Sequence, residues 1–343
     1  MSVKLKDIAR EAHVSISTVS RILSGDTSRK ANDETIEKVI TIAKELGYFE
    51  DKTHKINAQM KDKLNIGCIF TSDHESFVSP FFSKILSGIQ DGLLNNPFMI
   101  DCRFYTFNLI QSGLDFSLND IQLDGAIILG RTSLEVIHRL KKQIPHLVYC
   151  GVNPMNQGID EVFCSAYEGV LKEIEYLTEF GHTQIGYIGP TDKQEPAIFN
   201  EQRYKGFIDG LTKNNLPINK NFVEDCYLNS ADGYASVQRI YQSSSFPTAI
   251  VCANDNVALG ALKALHELGI NLPNDVSIVG FDNIEASSFT NPSLTTIDVP
   301  KFELGTIAVK VLLDRIKKGH KEQLKVQIPF SLVKRDSCMG VKK

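Results

Sequence analysis

The sequence predicts an α/β protein: a small three-helix headpiece at the N-terminus, followed by two lobes that are each built on a parallel sheet. Three observations carry that prediction. Between residues 7 and 46, apolar groups recur at helical spacing in three short blocks. From residue 64 onward, short apolar runs alternate with amphipathic helical stretches, as in an open parallel sheet. The alternation comes in two successive sets of similar size, which implies two lobes with a cleft between them.

The headpiece, residues 1–49, reads as a helix-turn-helix. Ile8, Ala9 and Ala12 mark a first helix, His13-Val14 a tight corner, and Ser15 a cap for a second helix over 16–23. Val19, Ile22 and Leu23 share the packing face of that second helix. Its other face carries Ile16, Ser17, Ser20 and Arg21, with Thr18 beside them. An apolar group, hydroxyls and an Arg on an open helical face suit a DNA major groove, where Arg can pair bidentately with guanine. An ordinary helical hairpin has the same spacing. A third helix over 33–46, capped by Asn32, turns Ile36, Val39, Ile40 and Ala43 inward.

Residues 50–63, EDKTHKINAQMKDK, form a polar linker whose large apolar groups are Ile56 and Met60. The region 64–338 holds the two lobes. Strands are expected at 65–71, 99–107, 125–129 and 147–151 in the first set, with a helix at 80–95. The second set begins near residue 160. It has helices at 166–180, 201–214, 233–242 and 257–268, and strands at 184–188, 222–227, 249–253 and 277–281.

A hydrophobic content of 42% with 23% charged residues is that of a soluble globular protein. The opening MSVKLKDIAR lacks an apolar signal core, and runs such as Ala126-Ile127-Ile128-Leu129 are too short to span a bilayer, so a cytoplasmic protein with no membrane role is expected. The seven cysteines show no metal or redox spacing and read as buried thiols. Net charge is −4, yet residues 1–30 carry six bases against three acids, and residues 52–63 carry four against one. This local, modest basicity favours a dimer with two small contact surfaces over a polyanion binder.

Ligands of parallel sheets sit outside the carboxyl ends of the strands. Three such loops stand out: Gln202-Arg203-Tyr204, Asn254-Asp255-Asn256 and Asp282-Asn283. A guanidinium fork, an amide and a carboxylate together suit the vicinal hydroxyls of a sugar, and Phe81 or Phe82 can add an aromatic face. Each residue also has a structural alternative: Arg203 paired with Asp282, Asn254 or Asp255 as a helix cap, Phe81 in the core. His182, in the turn FGHTQIGYIG, reads as structural. Nucleotide-binding, zinc-hydrolase and serine-hydrolase signatures are missing, so no enzyme, catalytic residue, metal or cofactor is expected.

The stretches LKDIAREAHVSISTVSRIL, KELGY at 44–48, GHTQIGYIG, RYKGFIDGL at 203–211, PTAIVCANDNVALGALKAL at 247–265, LPNDVSIVGFDN at 272–283 and NPSLTTID at 291–298 resemble the lactose/galactose repressor (LacI/GalR) family over essentially the whole chain. The resemblance implies a repressor that is a homodimer on double-stranded operator DNA. It also implies two lobes of the periplasmic-binding-protein type that take a sugar or sugar phosphate as effector. By position, Ile16, Ser17 and Arg21 read bases, while Arg203, Asn254 and Asp282 bind the effector. The family's hinge Leu, which wedges into the minor groove, falls on Ile56 or Asn57 here. Cys150-Gly151 stands where relatives often place a sugar-binding Asp, so that either Asn153 substitutes or the contact is absent, and Leu228, with Tyr227 adjacent, stands where an aromatic is common. The C-terminal leucine heptads that build tetramers are absent from LVKRDSCMGVKK. The effector either releases the repressor or acts as a co-repressor that tightens operator binding.

Overall fold

The computed structural model describes residues 4–24, 32–46, 64–71, 79–96, 100–106, 122–191, 201–243 and 245–341. The linker 50–63, with Ile56 and Asn57, lies outside the described residues. By their contacts the residues group into two compact units, Met1–Leu64 and Asn65–Lys343.

In the first unit, α1 (Leu5–Ala12), α2 (Ile16–Ser24) and α3 (Asp33–Glu45) enclose a core of Ile8, Ala9, Ala12, Val19, Val39 and Ala43. Leu5, Val14, Ile22, Leu23 and Ile42 pack around it. Ile36 and Ile40, expected to face inward, are only half-buried and are not part of this cluster. α1 ends because His13 adopts a left-handed φ of 53°, which turns the chain so that Val14 N–H reaches Ala9 O at 3.0 Å. α2 then starts on the Ser15 hydroxyl, which accepts Thr18 N–H at 3.1 Å, and α3 starts on the Asn32 side chain, which accepts Thr35 N–H at 2.9 Å.

The second unit contains two six-stranded sheets. The first has strand order β11-β5-β4-β3-β1-β2, from β1 (Leu64–Phe70), β2 (Ile100–Thr106), β3 (Gly125–Leu129), β4 (Leu147–Gly151), β5 (Asp160–Phe163) and β11 (Lys325–Gln327). The second has order β12-β10-β9-β8-β6-β7, from β6 (Ile185–Gly189), β7 (Val223–Asp225), β8 (Ala249–Cys252), β9 (Ser277–Asp282), β10 (Thr295–Asp298) and β12 (Ser331–Val333). Strands β3, β4, β6, β8 and β9 are apolar at nearly every position because helices cover both faces of a parallel sheet. Among them run α4 (Pro80–Leu94), α5 (Leu134–Gln143), α6 (Ala166–Glu179), α7 (Arg203–Lys213), α8 (Ser230–Tyr241), α9 (Asp255–Glu267) and α10 (Lys301–Ile316).

The lobes are not two uninterrupted sets, as the sequence pattern implied. After β10 the chain returns to the first lobe, where α10 packs along α4 and β11 extends the sheet beside β5; β12 then closes the second sheet antiparallel to β10. The chain therefore passes between lobes at 164–165, 299–300 and 328–330. The α4–α10 crossing is close enough to need glycine on both sides. A Cβ at Gly88 would lie 2.0 Å from Phe302 O, and one at Gly305 would lie 2.2 Å from Ile85 O.

Strand neighbours reverse direction of progression at β1/β3 in one sheet and at β6/β8 in the other. These switch points are where such sheets open a crevice at their carboxyl ends. Thr71, just past β1, donates to Leu129 O and Arg131 O and so fixes the end of β3. Arg203, at the start of the helix that follows β6, donates to Ala253 O just past β8.

Candidate functional site

Two surfaces gather the residues singled out in the sequence. On α2, Val19 is buried while Ser15, Ser17 and Ser20 are exposed and Thr18 is half-buried. Ile16 leaves 53% of its surface in solvent, an apolar side chain that contributes nothing to the three-helix core. Arg21 is half-buried, and its Nε–H points to Ser17 O at 3.4 Å. The Ser15 hydroxyl caps the helix and contacts the Ser17 and Thr18 hydroxyls, each at 2.8 Å.

In the cleft region the arginine is not paired with Asp282. Arg203 forms a bidentate ion pair with Glu201, Nε to Oε1 at 2.8 Å and Nη2 to Oε2 at 2.5 Å, while Nη1 donates to Ala253 O at 2.8 Å. Both side chains are buried, 4% and 9% exposed. Burial works against ionisation of Glu201, but Arg203 and then Arg131 hold its carboxyl below the usual range. The strand-end pattern does not reach Glu201, whose place two residues before Arg203 in Glu201-Gln202-Arg203 is its signal in the sequence.

Asn254 is the N-cap of α9: its Oδ1 accepts Val257 N–H at 2.9 Å and its Nδ2 donates to Leu228 O at 3.3 Å. Asp255 ties the end of β9 to β10, accepting from Ile284 N–H at 2.8 Å and from the Thr296 hydroxyl at 2.6 Å. Phe81 is buried at the start of α4, edge-on to Phe82, which in turn meets Phe70 at the end of β1. The core alternative for Phe81 and the capping alternative for Asn254 thus describe their contacts in the structure.

Asp282 is different. It is buried at the end of β9 with a φ of 110°, a backbone conformation that costs a non-glycine residue about 1–3 kcal/mol. Its backbone is held by Lys301 Nζ, which donates to the carbonyls of Asp282, Asn283 and Val299. Asn283 is clamped in turn by Asp298 at 2.9 Å and Arg335 at 2.7 Å. Burial pushes the Asp282 carboxyl up to about 8, and the Asp255 charge adds to this against Arg203 and Lys301. A backbone in a sparsely populated region and a desolvated carboxyl make Asp282 a candidate functional position.

Beneath these residues, Glu173 on α6 is fully buried, and neither carboxyl oxygen has a hydrogen-bond partner among the described residues. Burial raises it well above the ordinary Glu range, and Asp255 and Asp282 add to the shift against Arg203. Burial likewise raises Asp255 to about 7, against its bonds from Thr296 and Ile284. Each group holds its proton more tightly folded than unfolded. Their stabilising contribution is complete below the unfolded values, near pH 4, and is lost as pH rises toward the folded ones. Glu173→Gln is therefore expected to flatten the fall in melting temperature as pH rises above the unfolded Glu value and to raise stability at the upper end. Equal slopes for the two proteins in calorimetry would contradict this.

Two residues of the other lobe contribute. Arg131, just past β3, acts electrostatically on Glu201 and Tyr187 across the lobes. Asn153, past β4, is buried with its Oδ1 lacking a partner among the described residues. His182 is structural: its ring bridges Thr248, Ser277 and Met339, each at 3.0 Å. Among the described residues no group of three or more His, Cys, Asp or Glu is placed to hold a metal, and no helix is long and apolar enough to cross a membrane.

A helix-turn-helix headpiece on a chain whose remainder forms two parallel-sheet lobes defines a class, the DNA-binding regulators with a periplasmic-binding-protein-like domain. Residues 4–51 match the family described as bacterial regulatory proteins, lacI family, and residues 174–338 match the periplasmic binding protein-like domain. The HTH-type transcriptional repressor MelR of Bacillus subtilis is 30% identical over 349 residues, covering 98% of this chain and 97% of the relative. The lac repressor dimer bound to operator and the anti-inducer ONPF superposes with a TM-score of 0.72 at 26% identity, covering 99% of this chain and 100% of the other. A LacI family regulator from Enterococcus faecium with bound ribose gives a TM-score of 0.67 at 28% identity, covering 81% of this chain and 100% of that one. This chain belongs to the lacI family of bacterial regulatory proteins. It is a DNA-binding transcriptional regulator and not an enzyme.

Proposed function

We propose that this regulator is a cytoplasmic repressor of carbohydrate-use genes that binds a palindromic operator as a homodimer and is released by a sugar. The observation that carries the ligand site is Asp282: a buried carboxyl on a strained backbone, at the carboxyl end of β9, in electrostatic contact with Arg203. A sugar hydroxyl donates to the carbonyl oxygen of the Asp282 carboxyl and another accepts from Arg203, with Asn254 at the head of α9 and Phe81 at the head of α4 completing the set. Sequence is read by α2: Ser17, Ser20 and Arg21 face base edges and phosphates, Ile16 meets a thymine methyl or sugar edge, and Ser15 and Thr18 hold the helix start. The linker 50–63 joins headpiece 1–49 to lobes 64–338, and Ile56 within it enters the minor groove.

Arg21→Ala tests the DNA surface. It is expected to cost roughly 1–3 kcal/mol of operator binding and to relax preference at one base pair in each half-site. Binding measured against a panel of single-base operator variants reads both effects. Uniform weakening across the panel would assign Arg21 to phosphate instead, and unchanged binding would remove α2 from the interface.

A further inference from the structure

We infer that Glu201 sets the charge class of the ligand held between the lobes, restricting it to an uncharged polyol and turning away sugar phosphates, uronic acids and other anions. The inference rests on the cleft reading above and narrows it. Arg203 is the cation such a cleft would offer to a phosphate or carboxylate, and here it is already neutralised. Three of its five N–H groups are taken, two by Glu201 and one by Ala253 O, which leaves one N–H on each terminal nitrogen. Those two remaining donors suit hydroxyl oxygens. They no longer carry a bare positive charge, because the pair is buried and salt screens it little.

The charge of Glu201 also extends through the crevice. It acts on Tyr149 of β4 in one lobe, on Tyr187 of β6 in the other, and on Asp282. A ligand that spans the lobes beside Arg203 and Asp282 therefore sits in its field. Arg131 also acts on Glu201, and burial keeps the Asp282 carboxyl largely protonated near neutral pH. The Lys301 ammonium is spent on three backbone carbonyls. An incoming anion meets the Glu201 carboxylate in a poorly screened site, with the guanidinium of Arg203 already matched to it. A neutral vicinal diol meets no such repulsion: one hydroxyl accepts from Arg203 and its neighbour donates to Asp282.

Calorimetry and thermal shift on the full chain test this, with ribose, glucose and galactose compared against ribose 5-phosphate, glucose 6-phosphate and galacturonate. Inorganic phosphate, at matched ionic strength, serves as a minimal anion. Wild-type protein is expected to be stabilised by an uncharged sugar and left unshifted by its charged counterpart and by phosphate. Glu201→Gln keeps an acceptor for Arg203 and removes the charge. It is expected to gain affinity for the anionic probes of about tenfold or more relative to the neutral sugar, and to acquire a phosphate shift. Glu201→Asp, which keeps the charge, is expected to retain the wild-type preference. Anion binding by the wild type that is lost in Asp282→Asn would leave the cleft reading standing and overturn the charge assignment. Sugar binding that survives unchanged in Asp282→Asn would instead overturn the cleft reading itself.

Discussion

Replacing Arg203 with Ala is expected to remove ligand binding and a large part of the stability of residues 65–343 together. The side chain is not a free recognition group waiting for a sugar. It is half of a buried ion pair with Glu201 and also braces Ala253 O at the head of α9. Deleting one partner of such a pair leaves a desolvated charge with nothing to answer it, a loss of about 3–5 kcal/mol. The missing contact to a hydroxyl adds about 1–3 kcal/mol to the ligand side of the ledger. Thermal unfolding of Arg203→Ala and of Arg203→Ala with Glu201→Ala separates the two effects. The double variant, with no orphaned carboxylate, is expected to recover stability but not ligand binding. A single variant that melts like the wild type would show that Glu201 is not buried against Arg203 in solution. For the ligand contact alone, Asp282→Asn is the cleaner change, because no described side-chain bond to the carboxyl is lost with it.

The headpiece was legible in the sequence because its signals are local. Ser15 and Asn32 cap helices within three residues of themselves, and His13 marks the turn by its position between two periodic blocks. The apolar strands β3, β4 and β8 were equally readable, being continuous buried runs. What failed was non-local. β5 reads DEVF, two acids and two apolar groups, and is a strand because β4 and β11 flank it and because Arg315 at the end of α10 and His320 just past it answer Asp160. α10 itself belongs to the first lobe through Gly88 and Gly305, more than two hundred positions apart. No window of sequence contains that pair. The strand-end rule picks out Arg203, which begins α7, and Asp282, which ends β9, but which carboxylate pairs with Arg203 depends on how the chain enters α7. Nor could the pattern show Asp282 at positive φ, since an Asp at the end of a strand is ordinarily extended.

The second large effect is expected in the coupling of ligand to operator. The lobes are joined by three short crossings, at 164–165, 299–300 and 328–330, with Ile328 N–H bonded to Phe163 O at 2.8 Å where two of them run side by side. Hinge closure of one domain on another about a few short connecting segments is a common response to ligand. If closure disfavours the operator-bound arrangement of the dimer, ligand and operator weaken each other by one free energy, the same in both directions. An effect of about 1–3 kcal/mol, or roughly 5–150-fold, is the ordinary range for such coupling. Operator affinity measured with and without saturating sugar should therefore fall by the same factor by which sugar affinity falls when operator is added. In Asp282→Asn the operator titration is expected to ignore sugar while keeping its wild-type midpoint. In Arg21→Ala the operator midpoint shifts and the sugar affinity of the free protein does not, because Arg21 and Asp282 belong to different compact units. Unequal factors in the two directions would mean that ligand and operator do not act through a common equilibrium. A sugar that tightens operator binding would reverse the sign and identify the protein as one that uses its ligand as co-repressor.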